Sequence, residues 1–160
     1  MSKKLVAYFS ATGNTARVAK ALASKVEADL FQIVPAEPYS AADLNWRDSE
    51  SRTTKEKNDP AFRPALKEAA EDMAAYDVVF LGFPIWWYKE PNIVDTFLDG
   101  ANLEGKTLVL FATAGSSGFG SVARNIQRRL GEGVKVIEGK VFYNDSYSKE
   151  VSKWIEHLPI

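Results

Sequence analysis

Three segments of the sequence contain the residues best suited to hold a ligand. They read "SATGNT" at residues 10–15, "PIWWYKEP" at 84–91 and "TAGSSGFG" at 113–120. Each segment follows a run of apolar residues that predicts a buried strand. Hydroxyl groups, glycines and adjacent aromatic rings in these positions suit a ligand that has both a polar part and a flat part.

The first segment has the composition of a phosphate-binding loop. Ser10, Thr12 and Thr15 supply hydroxyl groups, Asn14 supplies an amide, and Gly13 permits a tight turn. A helix is predicted from Asn14, and the free N–H groups at a helix N-terminus bind anions without any formal positive charge. The alternative is an ordinary N-cap, since serine, threonine and asparagine all cap helices well, although one cap needs only one such residue.

The other two segments suit a flat ring system. Trp86, Trp87 and Tyr88 lie together just after a strand, where they form either an aromatic wall for a ligand or a cap over the core. The glycines of segment 113–120 let backbone N–H groups approach a ligand closely, or else mark a flexible connection. Taken together, a phosphate loop, an aromatic wall and an amide loop fit the shape of FMN.

Composition excludes several other kinds of chemistry. The chain has no cysteine, so disulfides, thiolate nucleophiles and cysteine-ligated zinc are excluded. With His157 as the single histidine, a histidine triad or multi-histidine metal site is not expected, and we predict no catalytic side chain and no metal. The Walker A pattern of nucleotide hydrolases is absent. A bound cofactor is the natural source of chemistry in such a chain.

Charge and hydropathy give expectations about partners and compartment. The net charge of −1 does not point to nucleic acid. No apolar run approaches the roughly 20 residues that cross a bilayer, and no signal peptide is evident. We therefore expect no membrane span and a cytoplasmic protein.

The apolar pattern predicts strands and helices in alternation, and a single domain over residues 1–160. Five strands are expected at residues 5–9, 30–34, 78–83, 108–112, and 134–137 with 141–142, the last bent at Gly139. Helices are expected at residues 14–26, 65–73, from Pro91 onward, at 121–130 and at 148–158. Purely apolar strands alternating with helices predict a parallel sheet covered on both faces.

Residues 35–64 interrupt this alternation with prolines and the polar stretch "RDSESRTTKEKNDP". A connection this long is usually functional or mobile, and we expect a turn or two of helix within it. It is predicted to fold over the edge of the flat ring, with Trp46 as a contact.

The chain resembles the flavodoxin family. "YFSATGNT" is similar to the phosphate loop of that family, and "GFPIWWYKEP" and "FATAGSSGFG" are similar to its two flavin-ring loops. The resemblance implies a short-chain, flavodoxin-like α/β fold: a three-layer doubly wound sandwich whose five-stranded parallel sheet has the order 2-1-3-4-5, with FMN at the switch point. It implies cofactor-binding roles for Ser10, Ala11, Thr12, Gly13, Asn14, Thr15, Pro84, Ile85, Trp86, Trp87, Tyr88, Ala114, Gly115, Ser116 and Gly118.

Two functions follow from the resemblance, with a third alternative. The first is an electron carrier between a flavin-reducing partner and an acceptor protein. The second is an FMN-dependent oxidoreductase that passes electrons from NAD(P)H to a quinone-like small molecule, and the third is a flavin-free binding module. The sequence departs from electron-shuttling flavodoxins in its near-neutral charge and in lacking glycine between Trp86 and Glu90. Arg124, Arg128 and Arg129 are predicted to form a solvated helix face or a docking patch for an acidic partner.

Overall fold

The sheet has five parallel strands in the order 2-1-3-4-5, as predicted. The computed structural model describes residues 3–69, 72–143 and 147–159. Within those ranges the strands are β1 (Lys4–Tyr8), β2 (Asp29–Gln32), β3 (Val78–Pro84), β4 (Thr107–Thr113) and β5 (Lys135–Phe142). The helices are α1 (Asn14–Val26), α2 (Arg52–Lys57), α3 (Asn92–Gly100), α4 (Val122–Leu130) and α5 (Tyr147–Ile155).

The central strands are apolar because both faces of the sheet are covered. Alternate residues of β1 point to opposite faces: Leu5 and Ala7 pack with α3 and α4, whereas Val6 and Tyr8 pack with α1 and α5. The result is a three-layer sandwich with one core on each side of the sheet. Its parallel strands bring their carboxyl ends to one edge, where the loops after β1, β3 and β4 lie.

Two glycines shape the sheet close to this edge. A Cβ atom at Gly82 would overlap the ring of Phe111, so only glycine lets that ring cross β3. At the other position, the register between β4 and β5 shifts after Leu110, because Glu138 pairs with Leu110 and Lys140 with Phe111. Gly139 is the extra residue of this bulge, so the predicted bend there is confirmed.

The predicted helix at residues 65–73 is wrong. Its described residues, 65–69 and 72–73, are not helical; 70 and 71 lie outside the described part of the chain. Leu66 instead forms an antiparallel bridge with Pro35, where Ala36 donates to the carbonyl of Ala65 and Lys67 to that of Val34. Backbone pairing beyond the end of β2 therefore replaces the helical hydrogen bonds.

Residues 35–64 are held against α3 by side-chain hydrogen bonds. The side-chain amide of the buried Asn92 donates to the carbonyls of Glu56, Asp59 and Phe62 at 3.0, 3.0 and 3.1 Å. The Thr96 hydroxyl donates to the carbonyl of Pro64 at 2.8 Å. The segment holds the six-residue helix α2, as expected, and lies on the α3 side of the sheet beside the loop after β3.

Candidate cofactor site

The loop after β1 presents an open helix N-terminus. Gly13 is the N-cap of α1 with φ 95°, a left-handed conformation that favours glycine, and no side chain caps this end of the helix. The Gly13 N–H donates to the Ser10 hydroxyl at 3.1 Å. Thr12 and Asn14 are exposed beside it. The first turn of α1 therefore offers backbone N–H groups and neutral side chains to an anion.

Thr15 has a different place from the other predicted phosphate-loop residues. Its side chain is 1% exposed, and its hydroxyl lies 2.7 Å from that of Thr113 at the end of β4. Ile85, just after β3, donates its N–H to the carbonyl of Thr113 at 2.9 Å. Thr113 thus joins the loops that follow β1 and β3 to the end of β4.

The loop after β3 is a tight two-residue turn. Trp86 and Lys89 exchange backbone hydrogen bonds of 3.0 and 3.1 Å, and Trp87 and Tyr88 occupy the turn with φ of 51° and 59°. Both φ values are left-handed, which matches a type I′ turn and is strained for side-chain-bearing residues. Strain of this kind concentrates at functional sites.

The three aromatic residues of the turn point in different directions. Trp86 packs edge-on against Phe9 and Tyr39, with ring centroids 5.7 Å away in both cases. Trp87 is half-buried, and Tyr88 is 69% exposed. The predicted aromatic wall is therefore divided: Trp86 packs at the edge of the core, Trp87 lies beside Lys57, and Tyr88 faces solvent.

The loop after β4 lies against this turn. A Cβ atom at Gly120 would be 3.8 Å from the carbonyl oxygen of Tyr88, and buried Phe119 anchors the loop by packing edge-on against Phe83. Gly115 and Ser116 are exposed, Gly118 is half-buried, and Ala114 packs on the core. The structure thus brings the three predicted loops to one edge of the sheet.

A buried cluster of charged groups lies behind the turn. Glu90 and Asp95 are 6% and 2% exposed, and their carboxyl groups are hydrogen-bonded to each other. Burial, and then the hydrogen bond and negative charge of Asp95, raise the pKa of Glu90 to about 8. Arg129 donates to Asp95 Oδ1 at 2.6 Å and also pairs with Asp99. Arg129 is exposed, as are Arg124 and Arg128, and it also forms ion pairs with α3 that the sequence did not predict.

Two cavities flank Trp86 and Trp87 on the side of residues 35–64. The first, of about 270 Å³, is lined by Leu44, Trp46, Thr53, Ile85, Trp86 and Trp87. The second, of about 240 Å³, shares Thr53, Trp86 and Trp87 and extends to Lys57, Lys89 and Glu90. Trp46 was predicted to contact the edge of the flavin ring, and that contact stays a prediction; the structure places Trp46 beside Trp86 and Trp87. Leu44 and Thr53 were not predicted, because polar and aliphatic residues inside an irregular segment carry no periodic signal.

The phosphate loop fits FMN by the chemistry of its donors. An uncapped helix N-terminus, a left-handed Gly13 and the exposed Thr12 can surround one phosphate. The Arg17 guanidinium, which donates to Asn14 Oδ1 at 3.1 Å, adds a positive charge beside this loop. The loops after β3 and β4 lie beside it and expose backbone and aromatic groups to a ring. Among the described residues, no group of histidines, aspartates and glutamates is arranged to hold a metal ion, and no helix has both the length and the apolar character that crossing a membrane requires.

Solved structures share this architecture over its whole length. A protein assigned as a flavoprotein from Bacteroides eggerthii is 44% identical, with a TM-score of 0.91, and the match covers 100% of this chain and 99% of that one. A similar protein from Bacteroides uniformis is 41% identical, with a TM-score of 0.92 and coverage of 97% and 98%. A flavoprotein from Lactobacillus acidophilus in complex with FMN is 21% identical, with a TM-score of 0.71 and coverage of 97% and 99%, and shows the common fold.

The family assignment rests on the sequence as well as on the fold. No curated protein matches the chain. A family model described as flavodoxin matches residues 3–158, which is nearly the entire sequence. This match supports FMN as the cofactor and agrees with the strand order and the position of the phosphate loop. The chain belongs to the flavodoxin family.

Proposed function

We propose that the protein binds FMN through the three loops described above and acts in electron transfer in the cytoplasm. The observation that carries the proposal is the open N-terminus of α1, which the Thr15–Thr113 hydrogen bond holds beside the loops after β3 and β4. FMN, when bound, supplies hydride and single-electron chemistry. The residues of this chain bind and orient it: 10–15 the phosphate, and 84–88 with 114–118 the ring.

Electron transfer suits a site whose three loops, residues 10–15, 84–88 and 114–118, contain no histidine, cysteine, aspartate or glutamate. There is no cysteine, and His157 is exposed beyond the end of α5. The donor in this proposal is a flavin-reducing partner or NAD(P)H, and the acceptor is a protein or a quinone-like molecule. The family assignment supports redox chemistry in general, and the choice of partner belongs to the proposal.

Flavin binding is tested by titrating flavin-free protein with FMN and, in parallel, with riboflavin. We expect the fluorescence of FMN to be quenched on binding, and FMN to bind much more tightly than riboflavin, because the N-terminus of α1 interacts with the phosphate. Thr12→Asp places a negative charge beside that phosphate, and we expect it to weaken FMN binding by at least about tenfold, or 1.4 kcal/mol, with riboflavin unaffected.

The matched control is Thr12→Asn, which has the size of aspartate without the charge and should bind FMN nearly as the native protein does. Thr15 is unsuitable for this test because its hydroxyl is buried against Thr113, and a charge there would disturb the fold. Equal affinity of the native protein for FMN and riboflavin would contradict the phosphate assignment.

The cavities beside Trp87 favour a second candidate, an oxidoreductase that reduces a small flat acceptor. This candidate predicts that the FMN-loaded protein oxidises NAD(P)H in the presence of a quinone without any second protein. An electron carrier would show that activity only after a separate reductase is added.

A further inference from the structure

The two cavities form one cleft around the side chain of Trp87. They share Thr53, Trp86 and Trp87, and together they extend from Leu44 to Lys89. None of residues 10–15 or 114–118 lines either cavity. The cleft therefore lies apart from the loops after β1 and β4, and it shares only the loop after β3 with the site assigned to FMN.

The first cavity suits an aromatic ring. Its walls are three indole rings, of Trp46, Trp86 and Trp87, together with two aliphatic side chains, Leu44 and Ile85. Its one hydroxyl, on Thr53, already donates to the carbonyl of Asp43 at 2.8 Å. Indole faces favour stacking with a flat ring over contact with a compact polar group.

The second cavity adds positive charge. The Lys57 ammonium lies 4.9 Å from the centroid of the Trp87 ring, and Lys89 borders the same space with its side chain 40% exposed. Lys89 Nζ is 3.9 Å from Asp95 Oδ2, a distance at the limit of an ion pair.

The carboxyl groups near this cavity have stronger partners than these lysines. Glu56 pairs with Arg52 at 2.9 Å and accepts a hydrogen bond from the Tyr39 hydroxyl at 2.6 Å. Asp95 pairs with Arg129 at 2.6 Å. Glu90 also lines the cavity; it is hydrogen-bonded to Asp95, and burial raises its pKa to about 8. Two ammonium groups thus border a half-enclosed space whose carboxyl groups are protonated or paired with arginine, and such a space attracts an anion.

We propose that the cleft binds a flat aromatic carboxylate, with its ring among Trp46, Trp86 and Trp87 and its acid group between Lys57 and Lys89. This proposal concerns binding alone, and binding in the cleft does not require the flavin.

The test uses the full-length, flavin-free protein and isothermal titration calorimetry, with 2-naphthoate as the probe and the neutral 2-naphthamide as its matched analogue. We expect naphthoate to bind at least about tenfold more tightly than naphthamide. Lys57→Gln and Lys89→Gln should each reduce the affinity for naphthoate and leave that for naphthamide unchanged, which also shows that the cleft is intact. Trp46→Ala should weaken both compounds.

Lys55→Gln is the control for charge, because Lys55 lies on the same helix but pairs with Glu50 at 3.5 Å and lines neither cavity. The proposal fails if neither compound binds, if the two bind equally, or if Lys55→Gln has the effect of Lys57→Gln. It also fails if FMN displaces naphthoate competitively, since the cleft would then be the place of the flavin ring. Flavin binding is measured separately with riboflavin as reference, so failure of one proposal leaves the other standing.

Discussion

At the scale of single residues, the Trp87–Tyr88 turn is the strained feature of the site. The left-handed backbone of a type I′ turn favours asparagine and glycine, but this chain places two aromatic residues there. Tyr88 is 69% exposed, so little buried area compensates for its conformation. The choice of residues at the turn therefore follows from something other than the stability of the fold, and contact with a flat ligand is the explanation we favour.

Two variants of Tyr88 separate the backbone strain at this residue from the packing of its side chain. We expect Tyr88→Gly to raise the free energy of unfolding by about 0.5–1 kcal/mol, because a left-handed residue with a Cβ pays about 1–2 kcal/mol and the greater freedom of glycine in the unfolded chain offsets part of the relief. Tyr88→Ala keeps the Cβ and should show no such gain. Urea unfolding measures the free energy of unfolding of both variants. Equal values for the glycine and alanine variants would show that the backbone at position 88 is not strained.

The sequence indicates these aromatic residues as ligand contacts but does not indicate how their rings are arranged. Adjacent aromatic residues after a strand predict a ligand wall, and the structure shows Trp86 turned toward Phe9 and Tyr39 instead. The direction of each ring depends on the φ values of the turn, and the sequence "WWYK" contains no glycine or asparagine to indicate them. In the phosphate loop, by contrast, Gly13 and its polar neighbours predict a tight turn at the start of a helix, and the structure has that turn.

At the scale of elements, the regular part of the fold was predictable and the irregular part was not. The strands and the helices α1, α3, α4 and α5 follow apolar periodicity, because burial on one or both faces selects those residues. The same periodicity wrongly predicts a helix at residues 65–73. Ala65 and Ala69 fit a helical stripe but are exposed, and the Leu66 segment pairs with residues 34–36 instead. Small alanines carry too little buried area to decide between the two arrangements.

Asn92 is the residue that fastens segment 35–64 to α3. We expect Asn92→Ala to lower the free energy of unfolding by about 1–3 kcal/mol, because three carbonyls lose their donor. Amide hydrogen exchange around residues 56–62 should accelerate more than that of the sheet. Asn125→Ala, at an exposed site on α4, is the control. Uniform acceleration across the whole protein would show instead that the segment opens only with global unfolding.

At the scale of the whole molecule, charged groups connect parts that are distant in sequence. Arg63 of segment 35–64 donates to Asp99 of α3 at 2.7 Å, and Arg129 of α4 pairs with Asp99 and Asp95. Asp95 in turn contacts Glu90 behind the turn after β3. The protonation of one buried carboxyl group therefore bears on the stability of the entire fold.

This linkage gives the stability of the protein a dependence on pH. Glu90 faces Asp95, Lys89 and, across the second cavity, Lys57 and Glu56, and its pKa is raised from 4.5 to about 8. Between these values the folded state holds a proton that the unfolded chain releases, so the contribution of Glu90 is complete below about pH 4.5 and is lost as the pH rises through about 8. Over this pH range the free energy of unfolding falls by at most about 1.4 kcal/mol per pH unit through Glu90.

Glu90→Gln keeps the donor toward Asp95 but cannot release a proton. We therefore expect the variant to lack this fall in stability, so that its free energy of unfolding exceeds the native value by a margin that grows from about pH 4.5 and levels off above about pH 8. Denaturant unfolding at a series of pH values measures it, with the exposed Glu132→Gln as control. Parallel pH profiles for the Glu90→Gln variant and the native protein would contradict the shared proton.

The hydrogen bond between Thr15 and Thr113 also has a consequence for the rate at which a ligand binds. It ties the start of α1 to the end of β4 through protein groups alone, so the two sides of the proposed phosphate and ring site are already in place before a ligand arrives. A ligand that meets a preformed site waits for no rearrangement, and its capture is then governed by the frequency of encounters. How long it stays, rather than how fast it enters, would distinguish one flavin from another.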